Sequence, residues 1–495
     1  MSERVRIELQ PLGKVVHVPR GTPLQDVLFP YGVEFPCGGR GRCRRCRVRL
    51  LEGALPATED EIRILGGEET AAGWRLACRA AAAGDITLEI AQWETAILAD
   101  NTAFAFTPRE GLGVAVDLGT TTLVAQLLDL RTARVLGVRT ALNPQVKRGS
   151  DVMSRVEFAQ AGGQGELERL IRSEIGTLIH KLAPREPVAD VTVVGNTVMH
   201  HLFCGVPVEP LAHCPFEPVE DGLKTFTASE LGWGVPGDPR VRFLPCLGGF
   251  VGSDILAGVM ATRMHDSEEL LALVDLGTNG EIVLGNRGRL LCASTAAGPA
   301  FEGGRIAAGM RAATGAIAEV AVREGKLECR VIGHGAPRGI CGSGLVDAVA
   351  GALDLGLIAP GGRLARGAKR LPLAGSVALT QADIRELQLA KGATAAGLEI
   401  LLERWGARIE DVRRVYLAGA FGNYLNRASA RRIGLLSFPL DTVEPAGNTA
   451  LLGAKLALFD GDAAAVRDKV EHVPLASDPE FQDRYVACMA FPATI

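Results

Sequence analysis

The chain has 495 residues, 47% of them hydrophobic, which is enough to bury several cores, and its length suits two to four domains. Lys and Arg number 53 against 57 Asp and Glu, a formal net charge of −4, which speaks against a nucleic-acid-binding protein and against a disordered acidic one. The opening MSERVRIELQPLGKVV is charged and alternating, without the apolar stretch of a targeting signal. No run approaches the ~18 apolar residues of a membrane span, so no membrane partner and a cytoplasmic location are expected.

In chain order, alternating VRIEL and KVVHV flank Pro11-Leu12-Gly13 and predict a hairpin. PLQDVLF predicts a short helix, and CRVRLL and DITLEI predict two further strands. Residues 1–92 therefore read as a small mixed sheet packed on one helix. From 93 to 111 small, polar and turn-forming residues predict a linker. Beyond it, apolar runs ending in Gly/Thr turns alternate with helical segments such as ELERLIRSEIGTLIHKL and GLEILLERWG, an α/β pattern. VAVDLGTTTLVAQLLDL (114–130) and LALVDLGTNGEIVLG (271–285) share VDLGT in register. That echo divides the remainder into two related lobes, 112–270 and 271–495, the second ending in a helical segment, and it gives Asp117 and Asp275 equivalent places.

The eleven cysteines are odd in number and irregular in spacing, unlike a disulfide framework. Cys37, Cys43 and Cys46 form C-x5-C-x2-C, and Cys78 follows after 31 intervening residues. Four thiolates converging on two irons are what an iron–sulfur cluster needs, and Gly38, Gly39 and Gly41 let the loop curl so that amides point at the sulfurs. A zinc site and buried core thiols are the alternatives; zinc prefers paired C-x2-C knuckles, of which there is one. His200, His201, Cys204, His213 and Cys214 cluster on a predicted strand, Gly turn and helix start, where such residues serve packing, and Cys246, Cys292, Cys329, Cys341 and Cys488 read as core thiols. Arg40, Arg42, Arg44, Arg45, Arg47 and Arg49 surround the cysteine loop with no acid among them, either as a solvated face with packed stems or as a docking collar for an acidic partner.

Each VDLGT segment has one physical sense. A buried strand delivers an Asp, and Gly and Thr then permit a tight turn whose amides cradle phosphate, while the Asp orients a hydrated divalent cation or a water. On that reading Asp117 and Asp275 are catalytic. VTVVGNT (191–197) also ends a strand in Gly, and GICGSGLVDAVAGAL (339–353) places a turn at Gly342 and Ser343 before a helix. VYLAGAFGNYL (415–425) ends a strand in Gly419, Ala420, Phe421 and Gly422, where small residues admit an adenosine. Each motif alone is ordinary structural punctuation.

The cysteine spacing and the element order of residues 5–90 resemble the plant and vertebrate ferredoxin family, with the five-residue spacing of its adrenodoxin-like branch, which implies a β-grasp 2Fe-2S fold. Residues 112–495 resemble the actin/Hsp70/hexokinase superfamily. That resemblance implies two α/β lobes closing on ATP and Mg2+, with Gly119, Thr120 and Thr121 on one side and Gly277, Thr278 and Asn279 on the other. The pairing of the two, together with LNPQVKRGSDVMSRV (142–156), LPCLGGFVGSDILAGV (244–259) and TAAGPAFEGGRIAAGM (295–310), resembles the reductive activators of corrinoid methyltransferase systems. It implies a multidomain protein, a β-grasp 2Fe-2S ferredoxin-like α+β domain followed by a two-lobed α/β actin/Hsp70/hexokinase-like domain. The implied activity is ATP-dependent delivery of one electron to an inactive Co(II) corrinoid protein, restoring Co(I), with a low-potential electron donor upstream and a homodimeric assembly. The rival readings are an electron donor to a radical dehydratase, a small-molecule kinase with a redox sensor, and an ATP-gated binding module with a structural or sensory cluster.

Overall fold

Alternation decides the N-terminal sheet: Val5, Ile7 and Leu9 of β1 (Arg4–Gln10) are buried while the residues between them are not, as a period of two requires. The computed structural model describes residues 3–10, 14–28, 31, 33, 46–89, 106–149, 151–277, 279–310, 312, 315–332, 336–365, 367–422, 424–459 and 462–493. β1 pairs antiparallel with β2 (Lys14–Pro19), the predicted hairpin. Leu24, Val27 and Leu28 of α1 (Leu24–Leu28) join the core beneath. β3 (Arg47–Gly53), β4 (Trp74–Leu76) and β5 (Ile86–Glu89) complete a five-stranded sheet in the order β2-β1-β5-β3-β4, with β1 and β5 parallel. α2 (Glu59–Leu65), between β3 and β4, was not anticipated by hydrophobic pattern. Its signal is the capping box Thr58-x-x-Glu61, in which Thr58 Oγ1 accepts from the Glu61 amide and Glu61 Oε2 accepts from the Thr58 amide at 2.8 Å.

In the next sheet β6 (Leu112–Leu118), β7 (Thr122–Asp129) and β8 (Val135–Leu142) form an antiparallel meander. The chain then passes through α3 (Val152–Phe158) and α4 (Gln164–Leu182) and returns as β9 (Val188–Gly195), parallel to β6. α5 (Thr197–Cys204), β10 (Lys224–Thr227), β11 (Arg240–Phe243) and α6 (Ser253–Thr262) follow, giving the order β8-β7-β6-β9-β11-β10. The third sheet repeats the plan. β12 (Leu271–Leu276), β13 (Gly280–Asn286) and β14 (Arg289–Thr295) form a meander, α7 (Gly342–Asp354) and α8 (Gln381–Trp405) intervene, and β15 (Arg414–Ala418), β16 (Val443–Gly447), α9 (Thr449–Phe459), β17 (Val470–His472) and α10 (Phe481–Met489) follow, with a smaller three-stranded sheet of Ala316–Arg323, Lys326–Val331 and Gly339–Ile340 between β14 and α7 in sequence. The order of the third sheet is β16-β15-β12-β13-β14-β17.

Without β10 and β17 the two sheets have the same order, a three-stranded meander with two parallel strands beside its first strand. Asp117 is the penultimate residue of β6 and Asp275 the penultimate residue of β12. Asp117 lies beside Val194 of β9 and Asp275 beside Ala418 of β15, so the sequence echo marks matching places in two matching sheets. A single apolar cluster contains Ala115 and Val194 of the first of these sheets, Leu273 and Val283 of the other, and residues of α6 and α9 between them. Among the described residues no helix is long and apolar enough to cross a membrane.

Candidate functional site

Two of the four predicted cluster ligands are described. β3 and β4 pair through Arg47↔Leu76, and the Ala77 amide donates to the Cys46 carbonyl over 2.8 Å. The residues just beyond that pairing, Cys46 and Cys78, therefore meet with their sulfurs 3.2 Å apart. Buried Glu61 holds the same corner, its Oε1 accepting from the Leu76 amide at 2.7 Å. Two sulfurs this close, 32 positions apart in sequence, can share one metal, and soft thiolates are the donors that iron–sulfur chemistry uses. The pair fits one half of a two-iron site. Cys37 and Cys43 lie outside the described residues, as do Gly38, Gly39, Gly41 and the arginines at 40, 42, 44 and 45. Of the arginine collar, Arg47 pairs with Glu69 at 3.2 Å and lies over the Trp74 ring, and Arg49 donates to the Ala72 carbonyl at 3.0 Å. These two serve packing.

The second site forms where β6, β12, β13 and α6 converge. Gly119 opens the turn after β6, and a Cβ there would stand 2.6 Å from the Thr122 carbonyl oxygen. The turn is held from behind. Asn143 Nδ2 donates to the Gly119 carbonyl at 3.0 Å, Arg155 to the Thr120 carbonyl at 2.6 Å and the Asn143 amide to the Thr121 carbonyl at 2.8 Å. Because C=O and the following N–H of a trans peptide point in opposite directions, capturing these carbonyls turns the Thr120 and Thr121 amides outward, as a phosphate cradle requires. Asn196, the cap of α5, donates to Thr120 Oγ1 at 2.9 Å. On the matching turn the Gly277 amide donates to the Asn279 carbonyl at 3.0 Å; Thr278 lies outside the described residues.

Four carboxylates gather at this site. Burial pushes Asp117 up to about 6, against the opposing pull of Asn448, whose amide donates to Asp117 Oδ2 at 2.8 Å. Burial pushes Asp275 to about 7, helped by Asp117. Asp254, in the first turn of α6, reaches about 7 through burial and then through Asp275 and Asp117. Glu281 on β13 is raised well above the usual carboxylate range by burial, then by Asp254 and Asp275. No Lys or Arg pairs with any of the four among the described residues. Like charges brought together in a poorly solvated place attract a cation. Among the described residues no three His, Cys, Asp or Glu side chains converge closely enough to hold a metal ion by themselves.

The predicted adenosine-side glycines have steric reasons. Gly419, following β15, has φ +77° and a Cβ there would lie 2.4 Å from Asp275 Oδ1, so this strand end and the carboxylate approach each other only with glycine between them. Gly419, Ala420, Phe421 and Gly422 form a single helical turn, with the Phe421 ring stacked on Phe301 at 4.8 Å. The Gly342 and Ser343 expectation needs one correction. These residues form the first turn of α7 and do not precede it. A Cβ at Gly342 would stand 1.9 Å from the Phe301 carbonyl oxygen, and Ser343 Oγ donates to the Ala318 carbonyl at 2.9 Å, two contacts that fix the helix start.

Three family models match successive parts of the chain: a 2Fe-2S iron-sulfur cluster binding domain over residues 7–83, a RACo middle region over 112–267, and the C-terminal ASKHA domain of RACo over 269–495. Corrinoid activation enzyme RamQ of Eubacterium limosum is 33% identical over 418 residues, covering 76% of this chain and 69% of the relative. The chain belongs to the family of corrinoid reductive activators. A [Co(II) methylated amine-specific corrinoid protein] reductase of Methanosarcina barkeri is 27% identical over 417 residues, 77% of each chain. A solved reductive activator for corrinoid, iron-sulfur protein superposes with a TM-score of 0.67 at 28% identity, covering 99% of this chain and 98% of the other.

Within this reductive activator, Asp254, Glu281, Asn448, Asn143 and Arg155 had no role assigned from sequence, although all but Glu281 and Asn448 lie in the segments that carried the family resemblance. Arg155 is fully buried and holds three oxygens, on Thr120, Gln145 and Gly149. The histidines of α5 do serve packing. His200 and His201 are fully buried, and burial, then the neighbouring His201, drives His200 down to about 4. An unfolded His titrates near about 6.5, so the unfolded chain gains a proton the folded one refuses, and stability falls as pH drops from about 6.5 toward 4. His200→Gln should flatten this acid limb of the melting temperature, by up to about 3 kcal/mol at the acid end. A limb of unchanged slope in thermal scans from pH 7 to 4 would assign the loss to other groups.

Proposed function

We propose that this activator uses ATP bound between its two lobes to drive one electron from a 2Fe-2S cluster into the Co(II) corrinoid of a partner methyltransferase-system protein, restoring Co(I). The carrying observation is the cluster of Asp117, Asp254, Asp275 and Glu281, uncompensated among the described residues, beside two glycine turns in a chain of the corrinoid-activator family. Asp117 and Asp275 would hold Mg2+ with the ATP phosphates, and Asp254 would position water for hydrolysis to ADP and phosphate. The outward amides of Thr120 and Thr121 would take phosphate oxygens, Gly277, Thr278 and Asn279 would face them, and Gly419–Gly422 would border the adenosine. Cys37, Cys43, Cys46 and Cys78 would hold the cluster, which would supply single-electron chemistry, one electron for each Co(II) reduced, made good by a low-potential donor.

The energetics support coupling without covalent chemistry. Plant-type clusters lie near about −400 mV, and lifting one electron a further ~100 mV takes roughly 2.3 kcal/mol. That lies within the ~1–3 kcal/mol by which two sites commonly influence each other. The test is to mix the dithionite-reduced, desalted chain with a Co(II) corrinoid protein and follow the Co(I) spectrum with and without MgATP. Co(I) should accumulate only with both. Equal yield without ATP, or phosphate transferred to a small molecule in place of Co(I), would reject the reading. A homodimer is the proposed assembly, to be read by sedimentation.

A further inference from the structure

α9 belongs in sequence to the second lobe, yet the first lobe holds it at both ends. At its start, Asn448 has both ends of its amide committed. Nδ2 donates to Asp117 at 2.8 Å, and Oδ1 accepts from the Leu451 amide at 2.8 Å, capping the helix. The side chain cannot turn from Asp117 without uncapping α9. At the other end Arg109 donates to the Leu458 carbonyl at 2.8 Å and Arg242 to the Ala457 carbonyl at 2.9 Å, which suits cations at a helix C-terminus. Arg109 is itself fixed by Asp190 at 2.9 Å, and the Phe106 ring meets Phe459 with centroids 4.9 Å apart. In its middle α9 touches α6 backbone to backbone, since a Cβ at Gly453 would stand 2.1 Å from the Ala257 carbonyl oxygen.

Phe106 and Arg109 lie at the end of the 93–111 stretch that follows the ferredoxin-like sheet, so the chain arriving from the cluster domain is fastened to one end of a helix whose other end holds a cleft carboxylate. At about 1.5 Å per residue, the eleven residues of α9 span roughly 16 Å. We propose that Asn448 is a positioning residue for Asp117 and that α9 ties it to the Phe106–Arg109 anchor, so that nucleotide in the cleft and the segment leading from the cluster domain read one another through this helix. The proposal rests on the reading of the cleft as an ATP site. A rigid rod pinned at both ends moves as a unit, and whatever binding does to Asp117 is felt at the anchor, with the reciprocal effect required by linkage.

The experiment is a double-mutant cycle in the full chain, with MgATP affinity measured by calorimetry. Asn448→Ser keeps an oxygen to cap Leu451 but is too short to reach Asp117. Asn448→Ser and Arg109→Ala should each weaken binding about 3- to 10-fold, and the double variant should bind no more weakly than Asn448→Ser alone, because contacts along one path are not additive. Arg109→Lys, which keeps a cation for Asp190 and a donor for Leu458, should recover most of the loss. Phe106→Leu repeats the test at the same helix end, should Arg109→Ala fold poorly. Effects that multiply, or an Arg109→Ala variant with parental affinity, overturn the inference while leaving the ATP site standing; a parent chain that binds no MgATP overturns both.

Discussion

Asp117→Asn and Asp275→Asn should each reduce MgATP-dependent electron delivery by about a hundredfold or more, the scale on which removing one preorganised electrostatic group acts, while dithionite still reduces the cluster as in the parent. The substitution keeps shape and removes charge, and Cys46 and Cys78 adjoin strands of a different sheet. The same variants carry a second, opposite expectation. A carboxylic acid whose folded value is about 7, against an ordinary one near 4, is most comfortable protonated, so the stability of the nucleotide-free protein is greatest at low pH and declines as pH rises from about 4 through 7. Asp275→Asn should therefore melt higher than the parent at pH 8, by a margin that shrinks toward pH 4. The parent should recover the difference when MgATP is added at pH 8. Normal MgATP binding and hydrolysis in both variants would remove these residues from the site.

Cys46→Ser and Cys78→Ser should each abolish the cluster, with iron and sulfide both falling to background and the visible spectrum lost. The two sulfurs sit 3.2 Å apart at the end of the β3–β4 pairing, locked by the Ala77 amide on the Cys46 carbonyl and by Glu61 on the Leu76 amide. A serine at either place leaves one thiolate without its companion. Cys246→Ser and Cys292→Ser should leave the cluster intact, since burial pushes both thiols far above the range in which a thiolate forms. Retention of two irons and two sulfides in a Cys46→Ser, Cys78→Ser double variant would exclude this pair from the cluster.

What could be read from sequence was local. The VDLGT echo places strand, carboxylate and turn within a few residues, and it pointed directly to matching positions in two sheets. The pairing of β1 with β2 and the strand around CRVRLL followed from alternation alone, while the turn expected at Pro11-Leu12-Gly13 lies outside the described residues. What escaped depends on partners far along the chain: Asn448 meets Asp117 across 331 positions, and Asp254 acquires its character from Asp275 and Asp117, which come from two different strands. Arg155, a basic residue in an otherwise ordinary helix, is buried because three backbone or amide oxygens await it. α2 escaped for a different reason, since its apolar residues are few and the capping box that starts it was the stronger signal.

The shared apolar cluster around α6 and α9 also bears on which pieces of such a gene can be exchanged. Ala115 and Val194 of one sheet and Leu273 of the other are covered by the same pair of helices, Leu256 and Val259 on α6 and Leu451, Ala454 and Leu458 on α9. A truncated product ending near residue 267 would lack α9 and would present bare apolar strands to solvent, a surface that aggregates. Recombination that swaps the leading ferredoxin module leaves this interior whole, whereas a crossover between the two lobes would join half-cores that had never been fitted to each other. The 112–495 portion should therefore tolerate exchange only as a single block, because of where one helix is packed.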